Sequence, residues 1–381
     1  MNRQPRYHLP LRPAPKPVAF RVFLTLRIFL AWALLAMLGG CASTAAGPAP
    51  VADHHSHIRS EIAGQALPRV QLARGKSRHE LSRGKQTAND LIAQMDRAGI
   101  QQAAILSLAY MYAIPELRFE DEQEKVEQEN DFVADQAARF PDRLVAFCGI
   151  SPIREYALSE IRRCADLNTV GIKMHMANSG VDLNKQEDWE QLQAAFSKAN
   201  NMGLDIIIHY RPRGPRYGRP EAERFLSELM PLASDITVQL AHMGGGGIID
   251  AATMEAIDVF AGQIDDHPNL YFDLSAAWAR DGDFSTSIGR SEGARNRARV
   301  ARAIERIGTA RILFGSDWDS LEIRDTLHPL WRGNGLKPED QEAILQNRAP
   351  YLPDTTGRSR DASPQPGQPS DPSTDASGHN E

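Results

Sequence analysis

Between residues 51 and 353 the chain alternates short apolar runs with longer amphipathic stretches. The runs are "QQAAILSLAY", "RLVAFCGISP", "VGIKMHM", "LDIIIHY", "ITVQLAHMGG", "NLYFDLSA" and "RILFGSDW". Most are separated by segments with apolar residues at helical spacing, among them "NDLIAQMDRAGI", "QENDFVADQAARF", "YALSEIRRCADL", "WEQLQAAFSKANNMG", "PEAERFLSELMPLA" and "ARVARAIERIG". A short apolar run between helices is the pattern of a strand buried on both faces of a parallel sheet. With the stretch at 51–57 as the first, the pattern predicts eight strands alternating with helices. That is an α/β chain closed as a (β/α)8 TIM barrel over residues 53–353. An open doubly wound sheet is the alternative, and no dinucleotide fingerprint follows the first strand to favour it.

The flanks read differently. Residues 1–27 carry Arg3, Arg6, Arg12, Lys16, Arg21 and Arg27 with no acid, and "IFLAWALLAML" follows as an apolar core ending in "GGCAS". This is the layout of a secretion signal, too short to span a bilayer comfortably as a permanent helix. Leu38-Gly39-Gly40-Cys41 resembles the lipobox of bacterial lipoproteins, which implies a signal over 1–40, cleavage before Cys41 and lipid on the Cys41 sulfur. The alternative is an uncleaved N-terminal anchor. Both expectations put the domain outside the cytoplasm, at the bacterial cell envelope and on its periplasmic side. Residues 41–52 read as a linker, and the tail 354–381, rich in Ser, Pro, Gly and Asp, as disordered. Loss of the six basic residues of the signal takes the formal charge from −6 to about −12, which argues against a nucleic-acid partner. Three cysteines are too few for a disulfide scaffold, and Cys148 and Cys164 are expected as packing residues, pairing being the lesser alternative.

Candidate chemistry sits at the ends of the runs. Side chains two apart on a strand share a face, so Asp53, His55 and His57 are expected on the inner side of strand 1 and His54 on the other. His55 and His57 could together grip one cation. "LDIIIH", "ITVQLAH" and "RILFGSD" end in His209, His242 and Asp317, each where the run gives way to a polar or Gly-rich loop. Any one of them alone reads as a rim histidine or a helix-capping aspartate. Together with the His-x-His of strand 1 they converge on the C-terminal rim, where barrel enzymes keep their active sites. Imidazole nitrogens with one carboxylate suit zinc or a similar divalent ion and leave a coordination position for water.

In order along the chain, "DHHSH", "GIKMH", "IIIHY", "LAHMGG" and "LFGSDW", with the intervening "NDFVADQAARFPDRLVAF", resemble the amidohydrolase superfamily, within its amidohydrolase-related branch of metal-dependent hydrolases and decarboxylases. The resemblance covers nearly all of residues 51–352. It implies a divalent metal held by His55, His57, His209 and Asp317, with His242 beside it as a catalytic residue and Asp317 also accepting the proton of the attacking water. One zinc ion is the expectation, with manganese open. Branch members commonly carry proline two places after the strand-8 aspartate, where this chain has Asp319. In two-metal relatives a strand-4 lysine is carboxylated and bridges the ions. Here one metal is favoured, with Lys173 and His175 beside it or at the substrate.

Basic residues cluster in two segments expected over the barrel mouth. Arg211, Arg213, Arg216 and Arg219 follow strand 5, and Arg69, Arg74, Lys76, Arg78, Arg83 and Lys85 follow strand 1, in a segment from Ile58 to Lys85 that could act as a lid. Arg211 and Arg213 are candidates for binding a carboxylated substrate, against the alternative that they pair with nearby acids. The expected function is hydrolysis of an amide, ester or lactone bond in a small, carboxylated molecule by a lipid-anchored enzyme. Non-oxidative decarboxylation and a non-catalytic binding lipoprotein are the alternatives, and homo-oligomerisation stays open.

Overall fold

The computed structural model describes residues 48–354 apart from 75–80, 83, 214–216, 248, 278–286, 319–321, 324–325 and 328–334. The signal segment 1–40, Cys41, Asp319 and the tail from 355 therefore lie outside the described residues.

Eight strands form one parallel sheet in sequence order. They are β1 (Ala52–His57), β2 (Gln102–Leu106), β3 (Leu144–Ile150), β4 (Gly171–His175), β5 (Asp205–His209), β6 (Val238–Leu240), β7 (Leu270–Asp273) and β8 (Ile312–Leu313). Each pairs with the next through β8, and the ring closes where Ser56 bridges Trp318 in parallel, with His54 N donating to Phe314 O (2.9 Å) and Asp317 N to His55 O (2.8 Å). The chain is a (β/α)8 barrel, as the spacing of the apolar runs predicts.

The strands read as continuous apolar runs because both faces are covered. Their outward residues, such as Ile105, Ile172 and Ile206, join the large core under the helices, while Ala104, Phe147, Ile207 and Leu313 fill the interior with Tyr351. Among the outer helices, α1 (Glu61–Ala73) is capped by Ser60, whose hydroxyl accepts from Ala63 N, and α2 (Ala88–Ala98) ends on Gly99 in the left-handed conformation. The described part of the segment after β1 is docked: Ala63, Leu67 and Val70 of α1 pack against Tyr110, Met111 and Tyr112, which follow β2.

Two sequence expectations are corrected. Cys148 on β3 and Cys164 on α3 (Ala157–Asp166) form a disulfide, with Cα atoms 6.2 Å apart. Both sites are apolar and buried, so composition alone reads them as packing; the helix crossing over the strand aligns them. The second concerns His54. Between the paired positions Asp53↔Ala103 and Ser56↔Ile105, β1 carries one residue more than β2. This β-bulge breaks the alternation of sides. Asp53 and Ser56 face outward together, joined by a Ser56 Oγ to Asp53 hydrogen bond of 2.7 Å, while His54 and His55 both face the interior.

The disulfide closes a loop with a sequence separation of 16. Replacing both cysteines with alanine is expected to cost about 2–4 kcal/mol of stability, read as a lower Tm. An unchanged Tm, or two thiols titrating in the unreduced protein, would count against the bond.

Candidate metal centre

The bulge brings His55 and His57 to the rim on neighbouring positions of the same face. His57 Nδ1 lies 2.9 Å from Leu106 O, and since a carbonyl only accepts, Nδ1 carries the proton and Nε2 keeps its lone pair. His55 Nδ1 lies 2.9 Å from the Asp273 carboxylate, which fixes the same tautomer. Both Nε2 atoms then face Asp317, each 3.5 Å from Oδ1. That separation matches two ligand atoms sharing one ion at about 2.0–2.1 Å.

His242 is set by its backbone. His242 and Met243 have φ of 56° and 57°, and Asp317 has 57°, left-handed conformations that cost a non-glycine residue about 1–2 kcal/mol. They are held by His242 N donating to Asp273 Oδ1 (3.0 Å) and Asp317 N to His55 O (2.8 Å). His242 Nδ1 donates to Ser275 O at 2.7 Å, leaving Nε2 open, and the ring centroid lies 4.9 Å from that of His55 and 5.0 Å from that of His209. Gly315 leaves room for this assembly: a Cβ there would stand 2.9 Å from His55 Cβ and 3.1 Å from Ser275 Cβ.

Asp273 lies beneath these groups with none of its surface exposed. It accepts from His55 Nδ1, Gln239 Nε2 (2.6 Å), the backbone of His242 and Ser275, and the Ser275 hydroxyl. Burial alone would raise its pKa; the His55 interaction and the charges of His242 and Lys173 outweigh that and keep it ionised. Asp317 is likewise pushed up by burial but held below the usual carboxylate range by its contact with His57, 3.5 Å away, and by the neighbouring imidazoles. Burial, reinforced by the charge of Lys173, drives His55 down to about 3, so this ring is neutral and able to ligate. His209 and His175 are pushed well below the ordinary histidine value, by burial first.

Among the described residues, two trios bring ligand atoms within 4.8 Å of one another: His55, His57 and Asp317, and His55, His242 and Asp273. His209 joins neither. Its ring stacks on His175 at 3.9 Å, and its buried Nδ1 has no hydrogen-bond partner among the described residues. His175 accepts from Asn178 N (3.3 Å) and leans on Tyr110. Lys173, 1% exposed, projects into the interior, its Nζ without a hydrogen-bond partner among the described residues; burial lowers its pKa to about 8 against the pull of Asp273 and Asp317. Neutral, tautomer-fixed imidazoles, an ionised carboxylate and an orphaned imidazole nitrogen together fit a divalent cation.

The arginines behave otherwise. Arg211 forks onto Asp250 (2.9 and 2.7 Å) and also donates to Thr253, and Arg213 pairs with Glu116 at 2.7 Å. In the segment after β1, Arg69 donates to Leu117 O and lies over Phe119, and Lys85 lies over Phe132. Arg74, at the end of α1, has no ion-pair partner among the described residues; although much of the residue is exposed, burial of its guanidinium lowers its pKa, and its charge interacts with Tyr110, Arg213 and Asp317 and with His175 and His209. Sequence reasoning missed Asp273, Ser275 and Gln239. The first two had a signal, since "NLYFDLSA" also turns polar at its end. Gln239, inside an apolar run, gave none.

A parallel (β/α)8 barrel with histidines and a carboxylate converging on its C-terminal rim defines a metal-dependent barrel enzyme of the hydrolase and decarboxylase kind. The amidohydrolase family model matches residues 52–349, and the chain belongs to that family. Among solved structures it is similar to a 2,6-dihydroxybenzoate decarboxylase complexed with 2,6-dihydroxybenzoate (18% identity, 78% of this chain and 97% of that one, TM-score 0.53). It is also similar to 5-carboxyvanillate decarboxylase from Sphingomonas paucimobilis (15%, 78% and 96%, TM-score 0.52) and to an amidohydrolase from Burkholderia multivorans with bound zinc (12%, 78% and 96%, TM-score 0.52). At these identities the likeness is one of fold. Comparison with curated protein sequences finds no match.

Asp273→Asn removes the charge that orients His55. Metal affinity, measured by chelator competition, is expected to fall about 10–100-fold with the barrel's circular dichroism retained. Unaltered affinity would show that Asp273 only fills space.

Proposed function

We propose that this protein is a metal-dependent hydrolase that uses activated water on an amide, ester or lactone bond of a small carboxylated substrate, outside the cytoplasm and tethered by lipid at Cys41. The observation that carries the hydrolytic reading is the carboxylate of Asp317, kept ionised 3.5 Å from both free Nε2 atoms of the His55 and His57 pair.

His55, His57, His209 and Asp317 would hold the ion, with zinc the metal best suited to three imidazoles and one carboxylate. Bound there, a divalent ion supplies Lewis-acid activation of water and of a carbonyl oxygen. Asp317 takes the water's proton and returns it to the leaving group, so the carboxylate starts and ends the cycle ionised. His242 completes the pair. With Nδ1 committed to Ser275 O, His242 turns Nε2 toward the reacting groups, where it would steady the substrate's polarised oxygen. Lys173 and His175 would line the inner end of the substrate site.

Among the described arginines of the mouth, Arg74 is placed to receive a substrate carboxylate, since Arg211 and Arg213 are engaged by Asp250 and Glu116. The location outside the cytoplasm draws support from the Cys148–Cys164 disulfide, a bond that persists in oxidising compartments. Metabolic labelling of Cys41 with a fatty acid, lost in Cys41→Ala, tests the anchor.

Turnover of a panel of amides, esters and lactones by the zinc-loaded protein in 18O-water is expected to place one label in the product without release of carbon dioxide. Asp317→Asn should lower kcat by about 10²–10⁴-fold with the fold intact. Carbon dioxide release without label would overturn hydrolysis in favour of the decarboxylation this family also performs.

Arg74→Gln is expected to raise KM for carboxylated substrates by about tenfold or more, the worth of a charged hydrogen bond, with neutral analogues and kcat little altered. Equal KM values for charged substrates in both proteins would remove Arg74 from recognition.

A further inference from the structure

The interior of a barrel is a packed apolar core, yet here a chain of polar side chains runs through it from the floor to the metal centre. Tyr351, from the segment closing the bottom of the barrel, packs its ring on Phe147 (centroids 5.0 Å apart) with little of its surface exposed. Its hydroxyl lies 2.6 Å from Gln239 Oε1 on β6 and 2.9 Å from His54 Nδ1. Gln239 Nε2 lies 2.6 Å from Asp273 Oδ2 and 3.2 Å from His54 O. Asp273 Oδ2 in turn receives His55 Nδ1–H.

Donor and acceptor inventory leaves one consistent direction for these bonds. Asp273 is ionised and accepts only, so Gln239 must turn its amide nitrogen toward it. The two amide hydrogens then go to Asp273 and to the His54 carbonyl, and the amide oxygen faces Tyr351 and requires a donor. Tyr351 supplies its single hydrogen there and accepts from His54 Nδ1–H, the tautomer favoured by this 2.9 Å contact over the longer 3.4 Å approach of His54 Nε2 to Asn347 O. Each group fixes the next, and an amide is needed at 239 because one side chain must donate upward and accept from below.

We propose that Tyr351 and Gln239 are positioning residues for the metal ligand His55, acting through the orientation of Asp273. This rests on the reading of the rim as a metal site. Tyr351 lies just beyond the stretch 52–349 matched by the family model. A partner of a ligand's partner acts on affinity by holding the ligand's lone pair in line with the ion. When the Tyr351 hydroxyl is lost, Gln239 Oε1 is left without its donor, the amide is held through Nε2 alone, and the donor that β6 turns to Asp273 is less firmly oriented.

Cobalt(II) is the probe. Its dissociation constant by chelator competition and its visible ligand-field spectrum are measured in the full domain and in Tyr351→Phe, Gln239→Met and the double variant, with the Tm of each metal-free protein as the measure of packing. Tyr351→Phe is expected to weaken cobalt binding about 3–10-fold and Gln239→Met about 10–100-fold, both with a shifted spectrum. Because Tyr351 acts through Gln239, the double variant should bind no more weakly than Gln239→Met. Phe196→Leu, in the core under the helices and away from these hydrogen bonds, should lower Tm and leave affinity and spectrum unchanged. Independent, multiplying losses in the double variant, or a fall in Tm with cobalt affinity and spectrum unaltered, would overturn the proposal. If Tyr351→Phe fails to fold, Gln239→Met decides on the same readouts. A parent protein that binds no cobalt would overturn the metal reading first, and the column with it.

Discussion

The rim is organised around one buried anion. Asp273 carries a full charge where water cannot reach it, and such a charge persists only if its lone pairs are satisfied by well-placed donors. The donors come from β1 through His55, from β6 through Gln239, and from the turns after β6 and β7 through His242 and Ser275. One carboxylate thereby sets the tautomer of His55, the left-handed turn that carries His242 and the orientation of an interior amide. The cost of burying it is offset by organising the chemistry above it.

Around that anion, the site is made from departures from regular strand geometry. The bulge in β1 turns His54 and His55 into the same space, left-handed residues aim His242 and Asp317, and Gly315 yields the volume that a side chain would take from His55. Each departure is locally unfavourable, and these lie together at the C-terminal rim. Such concentration is what a functional site imposes on a scaffold that otherwise satisfies its own rules.

The mouth shows the same division between structure and function. Arg211 and Arg213, prominent in the sequence, spend their charge on Asp250 and Glu116 and so hold the loop after β5 against its neighbours. Arg74 carries its charge to the group of histidines and to Asp317 without such a partner among the described residues. The disulfide lies away from the rim and ties α3 to β3, where its contribution is to the stability of the barrel wall.

The sequence by itself determined the barrel and the kinds of donor at its rim. Burial on both faces forces an apolar run wherever a strand lies, and the residue at which the run turns polar marks the rim, so "IIIH", "QLAH" and "FGSD" place His209, His242 and Asp317 without coordinates. Only the tertiary structure decided which side His54 faces, that Cys148 meets Cys164, which arginines are neutralised, and that Asp273 and Gln239 belong to the site. Each of those depends on a register shift of one residue or on contacts between segments far apart in the chain, such as His55 with Asp273 and Gln239 with Tyr351. A periodic pattern records which face is buried; it holds no information about the partner found there.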